Sequence, residues 1–189
     1  SSPEQGAWDS GWMLSSLTVP MALAAVPGGW ITDRKGYRLP VLLGLLMAVI
    51  GFTIMTGWKQ DATYLNMALQ LAFTGIGLGL IMAPVAAAVI NASPAEHRGT
   101  SSALVIIFRL IGMTVGVSSI TTFGLRRSQA LSIKWLSAAP DGAEIARVGV
   151  AVAERVISDT FLIAGVIAAL ALIPAVFLRS RPEQDLTEF

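Results

Sequence analysis

Four stretches of this chain, 10–32, 39–58, 62–95 and 160–178, contain no Asp, Glu, Lys or Arg, and a fifth, 99–125, contains only Arg109. A bilayer core of about 30 Å is crossed by about 20 apolar residues of helix, and each stretch reaches or approaches that length. A soluble helix of this size would carry a polar stripe at period 3.6, and none does. Only 13% of residues are charged, against roughly 25% in soluble domains. The fold class that follows is all-α, a polytopic membrane bundle of five transmembrane helices over about 11–31, 39–58, 65–91, 100–124 and 158–178. Pro20, Pro27, Pro84 and Pro174 fall inside these spans and predict kinks, because membrane helices tolerate breakers whose freed carbonyls find other partners.

The rest of the composition is mainly exclusionary. A net charge of +1 without a basic run gives no reason to expect nucleic acid as a partner. With no cysteine there is no disulfide framework and no thiolate metal site, and the one histidine, His97, lies in a polar loop. No nucleophile–base pair or metal-ligand set occurs within the spans, so an enzyme is not expected, nor any cofactor. The opening "SSPEQGAWDSGW" has neither Met nor a basic residue ahead of its apolar run, which reads as the interior of a longer protein.

Charge in the short loops predicts the direction of threading. Arg34, Lys35, Arg38 and Arg98 fall on one side, joined by Arg179 and Arg181 in the tail, whereas "WKQDATY" on the other side holds only Lys59. The positive-inside rule puts the first group in the cytoplasm of a bacterial-type inner membrane, with the N-terminus outside and the C-terminus inside. The segment 125–157 would lie outside. "SAAPDGAE" supplies a turn at its middle, and Ile145, Val148, Val152 and Val156 recur at near-helical spacing. It reads as a helical hairpin projecting from the membrane; the alternative is an amphipathic segment lying on the headgroups, anchored by Trp135.

The turn "GGWITDRKGYR" (28–38) between the first two spans demands its own account. Gly29 and Asp33 are four apart and share a helical face. Gly29 would admit a neighbouring helix closely, and Asp33 would meet either the N–H groups of a helix start or an arginine. Gly36 suits a left-handed turn. A plain cytoplasmic loop explains Arg34, Lys35 and Arg38 but not the aspartate or the glycines.

These residues resemble the G-x-x-x-D-R-x-G-x-R loop signature of the major facilitator superfamily, which joins the second and third helices of a six-helix half. The matching positions are Gly29, Asp33, Arg34, Gly36 and Arg38; Tyr37 departs, a basic residue being commoner there. "LAFTGIGLGLIMAPVAAAV" (71–89) and "HRGTSSALVIIFRLIGMTVGVSS" (97–119) are similar to the C-terminal half of the fourteen-helix drug:proton antiporter branch. The resemblance implies five helices of a major facilitator half, whose loop latches one conformation of a transport cycle. It also implies an N-terminal half of the same transporter as partner, and the proton as coupling ion.

Arg109 lies about 15 Å into its span, where a charge is costly and points to function. Every Asp and Glu lies at a span edge or in a loop, Asp33 and Asp159 coming closest, so the coupling carboxylate is expected in the remainder of the protein, with Arg109 as its counter-charge; the alternative is an arginine reaching back to the headgroups. Ser16, Asn66, Gln70, Thr74 and Thr114 are candidates for lining a cavity. Gly75, Gly79, Gly112 and Gly116 are expected on helix-packing faces. The functional expectation is a proton-coupled exporter of hydrophobic or amphipathic compounds. A lipid exporter of the same fold is the alternative, since family members that export lipids also extend their last two helices. A bilayer scaffold without transport is the alternative of another class.

Overall fold

The computed structural model describes residues 3–58, 63–136 and 142–178. Five long helices account for nearly all of them: α1 (Pro3–Lys35), α2 (Arg38–Met55), α3 (Tyr64–Asn91), α4 (Arg98–Leu136) and α5 (Gly142–Val176). A 3-10 turn, Ala95–His97, leads into α4. All five are long and apolar enough to cross a membrane. α1 begins eight residues before the expected start, and 125–136 and 142–157 are continuations of α4 and α5. The expected turn at Pro140-Asp141-Gly142 lies largely outside the described residues, as do Lys59 and the basic tail.

Each proline is carried inside its helix, and Pro84 shows how the cost is met. A proline leaves the carbonyl four residues back without its helical donor. For Pro84 that carbonyl belongs to Leu80, and the backbone of Gly28 on α1 approaches it so closely that a Cβ would lie 2.9 Å from the oxygen. Weak Cα–H···O contacts recur where helix backbones come this near.

The bundle is organised around α3, which has extensive contacts with α1 along one side and with α2 along another. α5 packs on α2, α4 leans more lightly on α5 and α3, and α1 barely meets α2. Val41 and Leu45 of α2 and Ala175 of α5 form a small buried core, flanked by Ile81 and Leu172. α4 stands apart, for the apolar part of its span buries nothing within the chain.

Candidate functional site

The charged turn is built by a glycine cap. Gly36 takes φ of 82°, the left-handed region, and its N–H donates to the Thr32 carbonyl at 2.8 Å, closing α1. Arg34 and Lys35 then occupy the last turn of α1, where cations complement the helix dipole. The Arg34 guanidinium also stacks 4.2 Å from the Trp30 ring centre, one turn earlier. Arg38 opens α2 and is exposed. Asp33 is exposed too, and it makes no hydrogen bond or ion pair among the described residues. Neither the helix start nor the arginine expected for it is supplied by these five helices.

Tyr37 was noted in the sequence only as a departure from the family pattern. It is buried, at 6% exposure, and its hydroxyl accepts a hydrogen bond from the Asn91 side-chain amide at 2.7 Å. Asn91 ends α3, so this bond ties the turn to the end of a third helix. No signal in the sequence joined two residues 54 positions apart.

The glycines of α3 make a two-sided seam. Gly75 and Gly79 lie against α1, where a Cβ would overlap the carbonyls of Leu17 and Met21. Gly77 faces the other way, onto α2, where a Cβ would come within 2.7 Å of the Gly44 carbonyl. Such small-residue faces let helix backbones touch. Close approach on α1 belongs to Gly28, whereas Gly29 meets nothing nearer than the Ala83 methyl at 3.9 Å. Among the described residues, no atom comes within 4 Å of a Cβ built at Gly112 or Gly116.

The expected cavity-lining residues do not converge. Thr74 is 1% exposed, its hydroxyl donating to the Gln70 carbonyl at 2.8 Å and its side chain filling the space over Gly51. It belongs to the α2–α3 seam and not to a cavity. The Gln70 side chain accepts from the Trp58 indole N–H, and Trp58 meets Phe161 edge-on at 5.2 Å. Ser16 donates to the Trp12 carbonyl at 2.9 Å, while Asn66 is exposed at the start of α3. Thr114 donates to the Leu110 carbonyl at 2.9 Å on the exposed face of α4.

Arg109 projects from α4 toward α3, its guanidinium 3.6 Å from the Met82 sulfur. A thioether is a weak acceptor, and no carboxylate among the described residues pairs with this cation. Farther along α4, Arg127 donates to Asp159 of α5 at 2.9 Å, and Arg155 lies 3.7 Å from the same carboxylate. This cluster pins α4 to α5 where both leave their most apolar parts.

Five long apolar helices, a glycine-capped charged turn and an arginine inside a span describe a polytopic membrane protein. The model of the Major Facilitator Superfamily matches residues 4–188, and the chain belongs to that family. It is 33% identical over 129 residues to a triacylglyceride transporter of Mycobacteroides abscessus, covering 63% of this chain and 25% of that protein. It is 36% identical over 126 residues to one of Mycolicibacterium smegmatis, covering 61% and 22%. The triacylglyceride transporter of Mycobacterium tuberculosis is 30% identical over 176 residues, 87% of this chain and 34% of that protein. The chain thus spans about a quarter to a third of the length of these relatives. The family and the five apolar helices indicate a multi-pass membrane protein.

Proposed function

We propose that this chain forms part of a bacterial inner-membrane exporter of acylglycerol lipid, driven by protons. What carries the reading is the similarity over 87% of the chain to a protein named as a triacylglyceride transporter. It favours lipid over the drug-like cargo expected first. The acid that takes up the coupling proton belongs, on this reading, to the remainder of the transporter, facing Arg109. The turn at 33–38 is then cytoplasmic. Single cysteines at positions 35 and 59 of the intact protein should label from opposite sides with an impermeant thiol reagent.

The direct test uses the full-length transporter in liposomes with an imposed proton gradient. A fluorescent triacylglycerol should be extracted to an external acceptor in a gradient-dependent way. Transport of amphipathic cationic dyes without triacylglycerol would return the assignment to drug efflux.

A further inference from the structure

α4 carries an unusual run, "SSITT" (118–122), about 30 Å along the helix from Arg98 at 1.5 Å per residue. Hydroxyls in apolar helices ordinarily donate to the carbonyl four residues back, and Thr18, Thr53, Thr74, Thr114 and Thr160 all do so here. On α4 only Thr114 does so; Ser118, Ser119 and Thr122, like Ser102, Thr121, Ser128 and Ser132, make no hydrogen bond among the described residues. With Phe123 and Arg126 they line an open groove of about 440 Å³. Arg126 is exposed and takes part in no ion pair among the described residues, the nearby Asp159 being engaged by Arg127 and Arg155. The groove therefore offers three uncommitted hydroxyls and a guanidinium, which only donates, beside an aromatic ring and the exposed apolar face of α4.

On the reading of the chain as a lipid exporter, we propose that this groove holds the ester region of a neutral acylglycerol. The argument is one of complementarity. A triester presents three carbonyl acceptors and no donor, the converse of this donor set. Ser118 and Thr122 stand one turn apart, about 5–6 Å, which suits neighbouring esters of one glycerol unit. An O–H left unpaired in an apolar setting is costly, so cargo esters satisfy groups that the helix leaves open. Acyl chains then lie along Phe123 and the aliphatic residues of α4. Specificity follows from the same fact, since a cargo with apolar chains and no acceptors would leave all four groups unpaired.

The test is equilibrium binding of radiolabelled triolein to the purified full-length transporter, against the matching glycerol triether, which lacks carbonyls. Wild type should prefer the triester by about tenfold, the loss expected when a few neutral hydrogen bonds weaken. A Ser118→Ala/Ser119→Ala/Thr122→Val variant should lose that preference while binding the triether as before. Thr121→Val, whose hydroxyl does not line the groove, should leave both unchanged. If the triple variant cannot be recovered folded, Ser118→Ala/Thr122→Val should reduce the preference about fivefold. A preference that persists in the variants, or equal binding of both ligands by wild type, overturns the groove assignment and leaves lipid export standing. Binding of neither, with or without binding of an anionic phospholipid, overturns both.

Discussion

The Tyr37 hydroxyl accepts from the Asn91 amide across 54 residues of sequence, joining the turn that ends α1 to the end of α3. Both partners are neutral, at a loop position where the family more often has a base. A neutral hydrogen bond between part-buried groups holds geometry without depending on salt, unlike a surface ion pair. Tyr37→Phe keeps the ring and removes the acceptor. In a double-mutant cycle with Asn91→Ala, read by thermal unfolding in detergent, the coupling should be about 0.5–1.5 kcal/mol and insensitive to ionic strength.

Gly28 and Gly29 should part company when each becomes alanine. At Gly28 the new methyl meets backbone, the Leu80 carbonyl at 2.9 Å, which can yield only if α1 and α3 separate. A loss of about 1–3 kcal/mol is expected, as for other overpacked sites. At Gly29 the nearest atom is a methyl at 3.9 Å, an ordinary contact. There alanine should be neutral or stabilise by up to about 1 kcal/mol through helix propensity. Unfolding temperatures of the two variants decide the matter.

Asp33→Asn should impair transport several-fold without lowering the amount of folded protein. The carboxylate engages nothing among the described residues, so the five helices lose no contact with its charge. A partner elsewhere, a helix start or an arginine, would be worth about 0.3–2 kcal/mol, enough to bias a balanced two-state cycle. Normal export at normal expression would remove the latch from this turn.

Arg109→Ala should abolish most proton-driven export, and Arg109→Lys should keep part of it as a point charge. The 3.6 Å contact with the Met82 sulfur is too weak to account for an arginine inside a span. Loss of the cation raises the pKa of an acid that faces it, so residual activity in Arg109→Ala should shift its optimum upward in pH. Export measured against pH for the three proteins tests this. An alanine variant with the wild-type profile would make Arg109 a snorkelling side chain.

The spans were legible because their signal is local: twenty uncharged residues in a row say what medium surrounds them, whatever they pack on. Gly36 was legible for the same reason, since a sharp turn after a helix needs the left-handed backbone that glycine gives freely. Partnerships were not. Gly75 and Gly112 look alike in sequence, each followed four residues later by another glycine, yet one lies against the Leu17 backbone and the other against nothing among the described residues. Thr74 and Thr122 are both hydroxyls in apolar helices. Which becomes seam and which becomes groove depends on where α2 and α4 come to rest, and period and composition carry no record of that.

The seam between α1 and α3 also dictates an order of assembly. Helices enter a membrane one after another from a growing chain, and α1 meets α2, its immediate successor, only slightly. When α2 has been made, the backbone surfaces around Leu17, Met21 and Gly28 still lack the partners they have here, because Gly75, Gly79 and Leu80 have yet to be synthesised. Among these five helices, α1 therefore gains its main seam only when the third helix arrives and docks against both predecessors at once. Nascent chains halted before residue 75 should therefore lack the α1–α3 seam, which cross-linking between positions 21 and 79 in longer and shorter chains would show.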